Sequence, residues 1–237
     1  MSAPSVPVGL EDALARLEAA VDEFSRVSLT SATDDSALDA WRRVETARRR
    51  LDPVEHRIVA EVEQRTLAEK YACRTPAGLA RQLLHLHPSE AAGRVAAARH
   101  LGPRWATTGE PLEPTYPLVA AALAEGAISS RHARTVTTTL DGLPDQVRAA
   151  EGEAVETPLV DFGRAHDPAL LGRYAQAVGY YFDQDGRYRD AEERDRKRQV
   201  SLRRRPDGSG RFEGELTPEC APWPATRFAP CARPAGW

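Results

Sequence analysis

Asparagine does not occur in the 237 residues, and lysine and isoleucine occur twice each, as Lys70, Lys197, Ile58 and Ile128. Thirty of the 32 basic residues are therefore arginine. With Ala, Pro and Gly also abundant, that bias reads as a GC-rich coding sequence, so arginine enrichment alone is weak evidence for phosphate binding. Cysteine is scarce: Cys73, Cys220 and Cys231 form no C-x-x-C pair, and an odd count in a chain this long argues against a disulfide framework. No apolar run approaches the roughly 18 residues of a membrane span. The N-terminal MSAPSVPVGLEDA has neither a basic n-region nor an apolar h-region, so no secretory signal is expected. These absences point to a soluble cytoplasmic protein with no membrane partner. The formal net charge of -3 excludes a polycation, so any nucleic-acid surface has to be local.

Known catalytic signatures are missing as well. There is no GxxxxGK[ST] or GxGxxG phosphate loop and no G-x-S-x-G elbow. The six histidines are His56, His85, His87, His100, His132 and His166. His85 and His87 are two apart, which would put them on different sides of a helix, and His100 and His132 stand alone. No carboxylate–histidine cluster has metal-ligand spacing, so no metal and no cofactor are expected. Cys73 reads as a buried or partly buried thiol.

What is present is helical periodicity. Leu10, Leu14, Leu17, Val21 and Phe24 are spaced 4, 3, 4, 3, one face of an amphipathic helix. After SLTSATDDS, Ser36 can cap a second helix with the apolar line Leu38, Trp41, Val44 and Leu51, which Val54, Ile58 and Val62 continue. Asp52-Pro53 starts or kinks that continuation. Thr75-Pro76 is a cap followed by a first-turn proline, and the helix it opens pairs with a second from Ser89 to Leu101. The segment 105–113 reads as a loop. A helix from Tyr116 to Glu125 ends at Gly126, and Ser129 or Ser130 caps the next, to Leu140. Longer helices open at Leu143-Pro144-Asp145 and Asp167-Pro168. Then alternation replaces helical period: QVSLR and RFEGEL flank RPDGSG, a strong hairpin turn. The expected fold is mainly α, a multi-helix domain with a small C-terminal β-hairpin. Its expected organisation is an N-terminal helix and linker (1–35), a helical domain with a closing β-hairpin (36–217), and a disordered or frameshifted tail (218–237). The tail has five prolines, two tryptophans and two cysteines in its 20 residues and no periodicity.

Two stretches compete as a DNA-binding surface. The helix pair TPAGLARQLLHLHPSEAAGRVAAARHL could be a helix-turn-helix. Its second helix, however, offers only Ser89, Glu90, Arg94 and Arg99 among alanines, poor equipment for reading bases. The other is the run Arg194, Arg196, Lys197, Arg198, Arg203, Arg204 and Arg205. These seven basic residues lie within twelve positions and are opposed only by Asp195, a local +6. Such a cluster could neutralise several phosphates, or it could be a solvated hairpin edge whose charges block edge-to-edge pairing. Just upstream, Asp190, Glu192 and Glu193 can blunt it. A third basic face, Arg42, Arg43, Arg48, Arg49 and Arg50, reads as the wet side of an amphipathic helix.

Three blocks in order carry a resemblance: the helix pair just quoted, PLVAAALAEGAISSRHARTVTTTLDGLP, and RYRDAEERDRKRQVSLRRRPDGSGRFEGELTPECA. Over about residues 36–221 the chain resembles the 13E12 repeat family of actinobacteria, whose shared region is a domain of unknown function, number 222 in its series. Members of that family commonly carry a C-terminal HNH nuclease module. The resemblance therefore implies a DNA-linked role by association. No histidine lies beyond His166 and no asparagine occurs, so the HNH motif itself cannot be formed here and the chain is expected to be truncated before that module. The function these readings favour is a non-catalytic, nucleic-acid-associated helical domain. Its expected partner is DNA, through backbone contacts at the arginine run. The alternatives are a helical protein-interaction or dimerisation module, self-associating as a homo-oligomer, and a non-functional gene fragment.

Overall fold

The structure, a computed structural model, describes residues 8–182, 199–204 and 210–215. Among them are ten helices and two short antiparallel hairpins, a mainly α fold. The helices are α1 (Val8–Arg26), α2 (Asp34–Arg49), α3 (Asp52–Gln64), α4 (Leu67–Lys70), α5 (Pro76–Leu84), α6 (Pro88–Leu101), α7 (Pro117–Glu125), α8 (Ser130–Asp141), α9 (Asp145–Ala165) and α10 (Pro168–Phe182). Between α6 and α7 lies a small hairpin of β1 (Arg104–Trp105) and β2 (Pro111–Leu112). The segment 105–113, expected to be a plain loop, thus holds one bridged pair, Trp105–Pro111, and supplies Leu112 to a second with Arg104. At two residues each these strands are too short for side-chain alternation to announce them. The C-terminal hairpin pairs β3 (Gln199–Arg204) with β4 (Gly210–Glu215).

The core is built by the second half of the helices. Leu101 of α6, Val119 and Leu123 of α7, Val136 and Leu140 of α8, Val155 and Leu159 of α9 and Leu171 of α10 are buried together, with Ile128 from the α7–α8 joint. Helix α9 runs unbroken through Pro158. The proline removes one intrahelical bond, and the flanking buried residues Val155, Leu159 and Val160 hold the helix in place by packing. Phe162 stacks on Tyr174 with ring centroids 4.6 Å apart, tying α9 to α10.

The first half is different. Among the described residues of α1, all from Gly9 on are exposed, and α2 has no buried residue. The expected apolar stripe of α2 and α3 exists, but Trp41 is 75 % exposed and Ile58 57 %. Helix α3 packs instead on α6, with His56 its buried residue. The cap of α2 is Thr33, whose Oγ1 accepts from the Ser36 amide at 3.2 Å, so the helix starts before Ser36 rather than at it. Leu51 is the N-cap of α3, and Asp52-Pro53 starts the helix, with Pro53 in its first turn.

A candidate nucleic-acid interface

The helix pair folds as its caps dictate. Thr75 is extended and its Oγ1 accepts from the Gly78 amide at 3.0 Å, while Pro76 needs no partner in the first turn. His85 closes α5 in the left-handed region with φ 54°. His87 then caps α6, its Nδ1 accepting from the Ser89 amide at 3.3 Å. These two histidines therefore sit in the turn and not on opposite faces of a helix. Ala91, Val95, Ala98 and Leu101 line the buried face of α6. The small residues allow α3 to approach closely.

Both arginines of α6 are spent on carboxylates. Arg94 reaches Glu55 of α3 at 2.8 Å and Glu90 at 2.6 Å, and Arg99 reaches Glu63 of α3 at 2.7 Å. Those hydrogen bonds, to Glu55 first and then Glu90, hold the Arg94 guanidinium above its ordinary pKa. A recognition helix needs free polar side chains at its N-terminal end. Here they are paired or covered, so α5–α6 is a packed helical hairpin.

The G-x-I-S-x-x-H-A block is a joint. Gly126, with φ 76°, closes α7 with its amide on the carbonyls of Ala122 and Leu123. Ile128 is buried. Ser129 caps α8 by accepting from the His132 amide, and His132 Nδ1 accepts from the Ser129 amide at 3.2 Å, a reciprocal capping box with histidine in the usual Glu/Gln place. The opposite ring nitrogen, Nε2, donates to the His166 carbonyl at 2.9 Å, which fixes the tautomer and ties the start of α8 to the end of α9. The block thus has a complete structural explanation. Its histidine, which stands alone in the sequence, is fully engaged.

His100 does not stand alone either. It stacks on Tyr116 at 5.5 Å between centroids, and its Nε2 lies 3.5 Å from Asp141, which also accepts the Tyr116 hydroxyl proton. Burial, then the hydrogen bond to Asp141, pushes the Tyr116 phenol well above its usual range. No group of three or more His, Cys, Asp or Glu among the described residues could hold a metal ion. Cys73 is buried, with Sγ 3.3 Å from Gln82 Oε1. An open groove of about 510 Å³ between α3, α6 and β1 is lined by Glu63, Gln64, Arg99, Arg104 and Trp105, where Arg99 and Glu63 already satisfy each other.

Among the described residues, His56 carries the one buried side-chain polar atom left without a partner. It is 5 % exposed, and its Nδ1 has no hydrogen-bond partner among the described residues. Burial pushes its pKa below 6.5, with Glu55 opposing. A base with a depressed folded pKa binds fewer protons folded than unfolded. Its contribution to stability is therefore complete above pH 6.5 and is lost as pH falls through the window below. We expect His56→Leu to be within about 1 kcal/mol of wild type at pH 7, since it removes an unpaired polar group, and to gain on wild type by pH 5. Urea unfolding followed by circular dichroism at the two pH values checks this; equal pH dependence in both proteins would refute it.

Of the sequence-predicted binding residues, Arg194, Arg196, Lys197, Arg198 and Arg205 lie outside the described residues. Arg203 and Arg204 lie in β3. The register sets Arg203 opposite Arg211 and Arg204 opposite Gly210. Arg211 belongs to the same basic group, and sequence reasoning missed it because the pairing register, not proximity in the chain, brings it there. Like charges directly opposite on a hairpin are unfavourable unless something neutralises them. The third basic face is partly internal: Arg48 and Arg49 hold Glu45 at 2.9 and 2.8 Å and lower its pKa to about 2. Arg49 also donates to the Ala127 carbonyl at 3.2 Å, docking α2 on the α7–α8 joint.

The family model described as "Domain of unknown function (DUF222)" matches residues 38–235. The chain is 32 % identical over 204 residues to an uncharacterized protein of Mycobacterium tuberculosis, covering 86 % of this chain and 44 % of that protein. A second uncharacterized protein of the same organism is 31 % identical over 211 residues, 89 % of this chain and 46 % of that one. One from Mycobacterium bovis is 32 % identical over 213 residues, with 88 % and 46 % covered. The chain spans about half the length of the curated relatives it matches. No solved structure matches it. Among the described residues no helix is long and apolar enough to cross a membrane.

Proposed function

The chain belongs to the DUF222 family, and from that premise we propose that it is a nucleic-acid-associated helical domain that holds DNA through its phosphates and performs no chemistry of its own. The contact residues are Arg194, Arg196, Lys197, Arg198, Arg203, Arg204 and Arg205, joined by Arg211. The observation that carries this reading is the density of the basic run: seven basic residues from 194 to 205 have Asp195 as their single internal acid in the sequence, and the hairpin register sets Arg211 opposite Arg203, with Glu213 opposite Ser201 and Glu215 opposite Gln199. The resemblance to the 13E12 repeat family, with its HNH modules, supplies DNA as the partner class.

Fluorescence anisotropy with a labelled duplex of about 30 base pairs, longer than one domain's footprint, tests it across a salt series. Four to six phosphate contacts give a log–log salt slope of roughly -4 to -5. Arg203→Glu, Arg204→Glu and Arg205→Glu together are expected to abolish retention with helical circular dichroism unchanged. Arg211→Ala is expected to reduce the slope by about 1. Absence of binding even at low salt, or binding indifferent to these changes, would overturn the proposal.

A further inference from the structure

We infer that the N-terminal helices form a docking surface for a second copy of this chain, α1 of one copy lying on the α2–α3 stripe of the other and the reverse. The first observation is exposure. Leu10, Leu14, Leu17, Val21 and Phe24 form an uninterrupted 4-3 seam on α1, and each is between 43 % and 61 % exposed. A strict 4-3 repeat is the pattern of a helix that faces another helix along its length. On α2 and α3, Leu38, Trp41, Val44, Leu51, Val54 and Ile58 are all exposed too. The two seams together present on the order of 1,000 Å² of apolar side chain, well beyond the few hundred usual for a monomer's largest patch and matching the ~800 Å² each partner buries in a standard interface. None of it belongs to the core cluster, which begins at Leu101.

Charge selects the occupant. Helix α1 carries Glu11, Asp12, Glu18, Asp22 and Glu23 against Arg16 and Arg26, a net -3. Over the stripe from Leu38 to Ile58 six arginines stand against Asp39, Glu45, Asp52 and Glu55, a net +2, and Arg43, Arg48 and Arg49 are already paired within α2. Among the described residues Arg42 and Arg50 make no ion pair, nor do Glu11, Asp12, Glu18 and Glu23. An acidic seam and a mildly basic seam of matching apolar character thus occur on the same chain, with free charges on both. A second copy supplies both complements at once, and two-fold symmetry doubles the contact. This geometry is independent of the DNA-contact residues, so either proposal stands without the other.

Sedimentation velocity of the 237-residue chain from about 1 to 100 µM, a range that brackets interfaces of this size, is the test. The expected mass rises with concentration from 26.0 kDa to twice that value. Leu14→Glu with Leu17→Glu is expected to give a monomer throughout with the same helical signal, because both residues lie outside the core. Arg42→Glu with Arg50→Glu is expected to weaken the dimer by about tenfold or more, and adding Glu11→Arg with Glu18→Arg in the same chain to restore it. A mass of 26.0 kDa at every concentration, including the case where α1 folds onto its own α2 or awaits a different protein, overturns the inference. So does a dimer that Leu14→Glu with Leu17→Glu leaves unchanged.

Discussion

Gly126→Ala is expected to cost about 3 kcal/mol or more of unfolding free energy, while Gly109→Ala costs about 1 kcal/mol. Both glycines are left-handed, Gly126 at φ 76° and Gly109 at φ 88°, so both substitutions carry the backbone penalty of a side chain in that region. Only one of them also meets the body of the protein. A Cβ on Gly126 would stand 2.7 Å from the Thr46 carbonyl oxygen, 2.8 Å from Thr46 Cγ2 and 3.1 Å from Arg50 Cγ, whereas a Cβ on Gly109 meets nothing within 4 Å. Two of those contacts are too close for any relaxation short of moving α2. Moving α2 breaks the hydrogen bonds of Arg49 to the Gly126 and Ala127 carbonyls. The difference between the two variants therefore isolates the docking of α2 from the strain of the turn. Chemical unfolding gives the energies, and limited proteolysis within α2 should accelerate for Gly126→Ala alone. Equal costs for the two glycines would show that α2 is not held at this joint.

Gly126 also marks what the sequence makes legible. A glycine after an apolar run is a recognisable helix end, and Thr75-Pro76 and Ser129 are recognisable starts, because capping is local chemistry between residues two or three apart. The mainly α fold and the C-terminal hairpin follow from periodicity for the same reason. The errors are equally local. Thr33 and Ser36 both carry a hydroxyl able to cap α2, and one residue's dihedral angles decide between them. What the sequence does not contain is any signal for partners far along the chain. His132 looks solitary until α9 brings the His166 carbonyl to it, 34 residues away. His100 looks solitary until α8 delivers Asp141. The amphipathic faces of α1 to α3 are plain in the sequence, yet periodicity says only that a face is apolar, not whether this chain or another covers it.

Glu156 is the clearest case of a residue hidden in this way, and it yields the other large expected effect. Glu151, Glu153 and Glu156 lie on the same helix with nothing in the sequence to rank them. In the structure Glu156 is 3 % exposed and its Oε1 accepts from the Val119 amide at 2.8 Å, with a further bond from the Leu118 amide. Helix α7 needs it. Tyr116 at its N-cap offers no side-chain acceptor and Pro117 has no amide hydrogen, so the first free amides of the helix are those of Leu118 and Val119. Val119 is fully buried, which closes off water as an alternative. Glu156→Ala strands these amides and leaves a void, an expected cost of about 2–4 kcal/mol. Glu156→Gln retains an acceptor oxygen without the charge and is expected to stay within about 1 kcal/mol of wild type at pH 7. The pH dependence follows from the sign of the shift. Burial raises the carboxyl pKa above 4.5, with the two backbone bonds opposing. The folded state then binds more protons than the unfolded one above pH 4.5, and stability from this group declines as pH rises through that window. Wild type should accordingly gain on Glu156→Gln as pH is lowered from 7 toward 4.5. Urea unfolding of the three proteins at pH 7 and pH 5 measures both effects. A loss below 1 kcal/mol for Glu156→Ala would mean that α7 is capped by something other than this carboxylate.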